Sequence, residues 1–481
     1  MKKELSFALN YALNKGFQIH PDAFKILENV DVKKLEKIIK EIVREKTKQK
    51  LFQINQDDLE TYLGIKDDPS LENEVKVLLD PTDKITTGEG VKGYNALFSS
   101  RFNKLKRIVS DRPEARMLKS LTFVKNERSE DDMYVCGLVT TRNSERNVTK
   151  LVLEDPSGSL EGIIFDTELQ KTADTLLVDQ FIMARVGVGK NSGFIIKDLI
   201  LPDIPDQATN KSESEAYAVF LSDLHIGSKY FMEEELTEFF SWISSPDPTA
   251  KKIRFILIGG DMVDGVGIYP NQNKELVCQT IEEQLKKVES LIDQIPKNIK
   301  IIIMPGNHDP GRRALPQPAI PKKYNSGLWD RENVVMVGNP AVVSLNGVKV
   351  MMFHGQSIDD IVKTTPGLSY DKPTNVMKHL LRARHLSPIY GSQTPIAPEM
   401  QDLMVIEDIP DIFHVGHVHK AQLDMYKGIL LVNSGSWQKQ TPFQASVGMT
   451  PNPGIALLVN LKTFQVFHQN YNSNLDNILQ S

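Results

Sequence analysis

Five short strings in the second half of the chain carry side chains that bind divalent metals. They are Asp223-Leu224-His225, Gly260-Asp261, Gly306-Asn307-His308-Asp309, His354-Gly355 and Gly416-His417-Val418-His419. Each ends an apolar run that reads as a buried β-strand: YAVFLSD, RFILIGGD, IKIIIMPGN, VKVMMFHG and DIFHVGH. In open α/β sheets ligands gather beyond the carboxyl ends of the strands, so these loops are expected to converge on one point. Residues two apart in an extended segment point the same way, which pairs Asp223 with His225 and His417 with His419. Carboxylate, amide oxygen and imidazole suit Mn2+, Fe2+ or Zn2+ better than Ca2+, and the lack of thiolate disfavours a structural zinc site. Of ten histidines only His20 precedes residue 200, so metal chemistry belongs to the C-terminal part.

Paired divalent ions on such donors suit hydrolysis of a phosphate ester. His308 lies beside the amide ligand Asn307 and is left free to stabilise charge at phosphorus and protonate the departing oxygen. Asp309 is suited either to orient His308 or to cap the segment that follows. Arg312 and Arg313 come directly after GNHDPG, near the expected mouth, for phosphate contact or for ordinary salt bridges. His414 reads as a packed strand histidine and Trp437 as core. Lys378, Arg382 and Arg384 form a basic helical face that would track a DNA backbone or stay solvated.

A chain of 481 residues exceeds one ordinary core, so several domains are expected. With 40% hydrophobic and 25% charged residues and a net charge of −5, it is neither a disordered chain nor an all-over basic nucleic-acid binder. No run of ~18 apolar residues suggests a membrane span. The N-terminal MKKELSFALNYALNKGF lacks the apolar core of a signal peptide. Two cysteines, Cys136 and Cys278, make no disulfide framework and read as buried thiols, so a cytoplasmic location is expected.

Residues 1–65 read as a helical domain, with Leu5, Ala8, Leu9 and Ala12 on one stripe and Val32, Leu35, Ile38, Ile39, Ile42 and Val43 on another. Residues 66–130 read as a linker with a basic helical segment, RFNKLKRIVSDR. Residues 131–204 hold five short period-two strands, the pattern of an OB-fold barrel, with Tyr134 and Phe194 as its candidates for base stacking. After a linker at 202–215, residues 205–481 alternate buried strands with helices as an α/β sandwich. One helix there is expected to carry Val277, Ile281, Leu285, Val288, Ile292 and Ile295. A chain beginning near residue 205 is expected to keep the catalytic core.

The order D-x-H, GD, GNHD, H, GHxH over residues 217 to about 470 resembles the calcineurin-like metallophosphoesterase superfamily. The resemblance implies one metal on Asp223, His225, Asp261 and His419, and a second on Asp261, Asn307, His354 and His417, with Asp261 bridging. Asp264 departs from the pattern, standing where related break-repair nucleases carry a histidine.

The domain order and the strings GNHDPGRRALPQPAI and RHLSPIYG are similar to the small-subunit family of archaeal family-D DNA polymerases. That similarity implies a proofreading 3′→5′ exonuclease with two divalent ions, Mn2+ first and Fe2+, Zn2+ or Mg2+ as alternatives. It also implies a large catalytic subunit as partner, DNA with an unpaired 3′ end as substrate, and a sliding clamp reached through the complex. A non-catalytic scaffold subunit and a stand-alone phosphatase are the competing readings; the complete ligand set favours activity.

Overall fold

The structure is a computed structural model and describes residues 3–27, 32–48, 51–55, 58–59, 73–127, 129, 131–145, 147–189, 193–324, 326–446 and 448–472. Two six-stranded sheets face each other at its centre. The first runs in the order Val334–Met336, Lys300–Met304, Ile253–Gly259, Tyr217–Leu221, Ile455–Asn460, Val466–Asn470. Its first four strands are parallel and the last two antiparallel. The second sheet runs Ala421–Tyr426, Ile429–Ser434, Ile412–Val415, Val348–Phe353, Ala341–Leu345, Val75–Leu79.

Near-continuous apolar strands are needed because both faces of each sheet are covered. Ala218, Phe220, Phe255 and Leu257 fill the space between the sheets, while Val219, Leu221, Ile256 and Ile258 face the outer helices. One of those helices, Ile281–Ile292, starts where Thr280 and Glu283 form a capping box. Its Leu285, Val288 and Ile292 face the core as expected, but Val277 precedes the cap and is exposed. Trp437 is fully buried and stacked on Phe239, and His414 is buried with Nε2 on Ser434 Oγ at 2.9 Å. Cys136 is buried, whereas Cys278 is only half-buried.

The barrel comprises Met133–Glu145, Val148–Asp155, Gly158–Ile164, Phe181–Val188 and Phe194–Ile200. Its first strand pairs with both the second and the fourth, and its third runs parallel to its fifth, which closes the barrel in the OB order. Helix Thr167–Asp174, capped by Asp166, joins the third and fourth strands. Phe194 lies in the barrel core, so it does not offer a stacking face. In the N-terminal part, helices Lys3–Asn14, Pro21–Leu27 and Val32–Lys48 pack Ala12, Phe17, Ile39 and Ile42 together. The side chains of Leu5, Ala8, Val32 and Leu35 and all of residues 60–70 lie outside the described set. Among the described residues no helix is long and apolar enough to cross a membrane.

The segment 66–130 is more than a linker. Val75–Leu79 is the edge strand of the second sheet, antiparallel to Ala341–Leu345. Helix Gly90–Ile108 inserts Arg101, 1% exposed, with Nε 2.8 Å from Asp402 Oδ2 and Nη1 2.6 Å from the Pro388 carbonyl. Asp402 Oδ2 also lies 2.9 Å from His385 Nε2. Burial works against the Asp402 charge, yet His385 and Arg101 hold this carboxyl far below the usual carboxylate range. The 202–215 segment likewise lies on the sandwich, with Ile204 buried and the Asn210 N–H donating to Asp411 Oδ1 at 2.7 Å.

A chain starting near 205 would therefore lose a strand and leave Asp402 buried without its cation. Arg101→Met isolates the same charge and is expected to lower stability by about 3 kcal/mol. That loss reads as a fall of several degrees in the thermal unfolding midpoint, partly recovered in Arg101→Met/Asp402→Leu. An unchanged midpoint would contradict the buried pair's role.

Candidate metal centre

The carboxyl ends of Tyr217–Leu221, Ile253–Gly259, Lys300–Met304, Val348–Phe353 and Ile412–Val415 meet at one edge of the sandwich. The loops are zipped by backbone hydrogen bonds: Asp223 N to the Gly260 carbonyl at 2.9 Å, His225 N to Asp261 O at 3.0 Å, and Ile226 N to Met262 O at 3.0 Å. Asp223, His225, Asp261, His417 and His419 all take φ between 50° and 68°. Left-handed backbone costs a non-glycine residue about 1–2 kcal/mol, so this clustering marks a site where aim outranks comfort. Gly306 is required because a Cβ there would lie 2.2 Å from Asp261 Oδ1.

Among the described residues three groups of donors result, one of them His225, Asp264 and His308; the other two hold the residues expected to bind metal. Asp223, His225 and His419 place ligand atoms within 4.8 Å of one another, and so do Asp261, His354 and His417. In the first group the Nε2 atoms of His225 and His419 face each other at 3.0 Å, and Asp223 Oδ1 lies 3.5 Å from His419 Nε2. That Asp223 oxygen is buried without a hydrogen-bond partner. A cation among these atoms satisfies all three, so the donor set fits a divalent ion. In the second group Asn307 Oδ1 is 3.0 Å from His354 Nε2 and 3.1 Å from His417 Nδ1. Asp261 Oδ2 lies 3.2 Å from His354 Nε2 and 3.9 Å from His225 Nε2, between the groups. Burial works to raise the Asp261 carboxyl, but His354, His308 and His225 hold it well below its usual range. Burial opposes charge on His354 too, yet Asp261 and Asp223 lift its pKa to about 10.

The rings are aimed by partners on their far nitrogens. His225 Nδ1 is 3.1 Å from Asp264 Oδ1, His354 Nδ1 2.9 Å from the Gly259 carbonyl, and His417 Nε2 3.1 Å from Asp359 Oδ2. The Gln444 amide lies 3.0 Å from His419 Nδ1. At His225, His354 and His417 the far nitrogen donates, which leaves the lone pair on the nitrogen that faces the centre. Asp264 thus supports a candidate ligand in place of the absent histidine, and Gln438 Nε2 donates to it at 3.0 Å. Asp359, Gln444 and Gln438 carried no sequence signal, being isolated polar residues from distant segments.

His308 differs from the ligands. Its Nδ1–H points to the Asp264 carbonyl at 2.7 Å, and Nε2 lies 4.0 Å from Asp261 Oδ2. Its ring stands edge-on to His225 with centroids 4.7 Å apart, and it lines the cavity. Burial holds its pKa below the usual histidine range. Asp309 does not touch His308's ring; its carboxylate accepts the backbone N–H groups of Gly306 at 2.8 Å, Val263 at 3.1 Å and Met262 at 3.3 Å. It clamps two loops together, and burial pushes its pKa to about 6.

Arg312 is ion-paired with Glu399 at 2.7 Å and hydrogen-bonded to the carbonyls of Ala314 and Pro316, so the salt-bridge alternative describes it. Arg313 is exposed, and neither arginine lines the cavity. The basic face at 378–384 does not form a free track: Lys378 pairs with Asp424 and Arg384 is buried against the Glu407 carbonyl. The cavity itself is about 540 Å³ and opens over both donor groups.

Sequence similarity to known proteins extends over most of the chain. The family model for the B-type subunit of DNA polymerases alpha and epsilon matches residues 218–423. The DNA polymerase II small subunit of Archaeoglobus fulgidus is 40% identical over 386 residues, covering 79% of this chain and 77% of the relative. That of Pyrococcus furiosus is 35% identical over 424 residues, 84% of this chain and 68% of the relative. That of Thermoplasma acidophilum is 30% identical over 477 residues, 97% of this chain and 93% of the relative.

Proposed function

Because this chain belongs to the small-subunit family of archaeal DNA polymerase II, we propose that it is the metal-dependent 3′→5′ exonuclease of that polymerase. In this role it removes mispaired ends for a large catalytic subunit and reaches the sliding clamp through the complex. The observation that carries the reading is the convergence of donors on one cavity, which His308 also lines. A scaffold has no use for five ligands held in strained backbone.

Asp223, His225, Asp261 and His419 would hold one divalent ion, and Asp261, Asn307, His354 and His417 the other. Their mixed oxygen and nitrogen donors suit Mn2+, with Fe2+, Zn2+ or Mg2+ as alternatives. Ions bound there supply Lewis acidity and neutralise phosphate charge. The chain's own contributions are positional and acid–base. Asp264 and Asp359 keep the ligand rings aimed. With Nδ1–H committed to the Asp264 carbonyl, His308 works through Nε2. Once protonated at Nε2, the ring would donate to the departing 3′ oxygen. A cavity of about 540 Å³ accommodates a nucleotide unstacked from its strand rather than a paired end.

The test uses the complex of this chain with its large subunit and a primer whose 3′ terminus is either paired or mismatched. Mismatched termini are expected to be removed faster, because fraying an unpaired end costs less. Equal removal of both ends would contradict proofreading.

A further inference from the structure

The cavity over the donor groups is chemically lopsided. Beside His417 its wall carries Asp359, Lys363 and Gln393, with Tyr370 bonded to Asp359. Beside His225 and His419 it carries the apolar and aromatic Ile268, Tyr269, Phe443 and Met449 along with Asp264, Gln438 and Gln444. The rings of Tyr269 and Phe443 lie 6.2 Å apart at 20° to each other, and Phe443 is 56% exposed. An aromatic face left open to water at the mouth of a polar site asks for an occupant.

Both rings are also bolted to the metal ligands. Phe443 sits on the short helix Pro442–Ser446, whose Gln444 accepts the Thr441 N–H at 3.0 Å and lies 3.0 Å from His419 Nδ1. Tyr269 sits in the loop after Asp261, and its hydroxyl donates to Glu275 Oε2 at 3.0 Å. Gln272 ties that loop to Asp264, donating from Nε2 to the Asp264 carbonyl at 2.8 Å, while Asp264 in turn faces His225. A planar group resting on these rings is therefore registered against the ligands by short, rigid links.

We infer that Tyr269 and Phe443 form a stacking platform for the base of the nucleotide being removed, which makes them specificity-determining residues for unpaired ends. The inference rests on the exonuclease reading and names the recognition element of that same cavity. Stacking fits the task because every base has a π-face, so an enzyme that must accept any terminal nucleotide reads none of its edges. It also rejects a paired end, whose terminal base already stacks on its neighbour and cannot turn onto the rings. Lys363, exposed and bonded through its ammonium to Gln393, lines the same cavity.

The test compares single-stranded oligonucleotides ending in 3′ adenine or in a 3′ abasic residue, cleaved by the full chain with Mn2+. The ratio of kcat/KM for the base-bearing end over the abasic end is expected to fall about tenfold in Phe443→Leu, through KM, and to be kept in Phe443→Trp. A second readout needs no hydrolysis: 2-aminopurine at the 3′ terminus should be quenched on binding the His308→Ala chain, and the quench relieved when Phe443→Leu is added. Equal losses on both ends, or unrelieved quenching, would overturn the platform. Failure of the native chain to cleave either oligonucleotide would instead overturn the exonuclease reading, while the quench would still report on the rings.

Discussion

His308→Ala is expected to lower DNA hydrolysis by about 10²–10⁴-fold, the usual worth of a positioned acid–base group, while both divalent ions stay bound. The expectation follows from two distances. His308 Nδ1 is spent on the Asp264 carbonyl at 2.7 Å, which leaves Nε2, 4.0 Å from Asp261 Oδ2, as the nitrogen free to serve the cavity. The ring lines the cavity and, although it is grouped with His225 and Asp264, it belongs to neither of the two proposed ion sites. Elemental analysis after dialysis separates the roles. Two ions per chain with lost activity match the assignment, whereas loss of an ion would make His308 a ligand.

Asp261→Ala should lose metal and activity together. Its Oδ2 faces His354 on one side and His225 on the other, and its Oδ1 accepts the His308 N–H at 2.8 Å. Removing the carboxylate would take a ligand from both proposed ions and free the loop that carries Asn307 and His308. The drop in metal affinity should exceed the roughly 10–100-fold typical of losing only an outer partner. Asp261→Asn keeps the acceptor for His308 N–H, so it isolates the charge effect. Titration calorimetry with Mn2+ that returned two near-native sites would place the bridge elsewhere.

The donor residues were legible because each closes an apolar run within a string of glycines and metal-binding types. Left-handed turns there tolerate Asp, Asn and His better than bulkier residues. The barrel was legible for the same local reason, a period of two broken by turn formers. What escaped depends on long-range pairing. Val75–Leu79 is five residues of weak alternation that become a strand only against Ala341–Leu345. Arg101 reads as one more basic residue until Asp402, 301 positions on, is folded against it. Asp359, Gln444 and the ring pair Tyr269–Phe443 are likewise ordinary residues until the loops converge. Arg312 shows the reverse error, since nearness in sequence to a ligand string did not carry it into the cavity.

The central claim, that these donors make a metal-dependent 3′→5′ exonuclease, is tested most directly with a 5′-labelled single-stranded oligonucleotide and the purified full chain. With Mn2+ the account predicts a ladder shortening one nucleotide at a time from the 3′ end, absent with chelator and absent in Asp261→Ala. An oligonucleotide left intact by the native chain with Mn2+, or cleaved equally by Asp261→Ala, would contradict it.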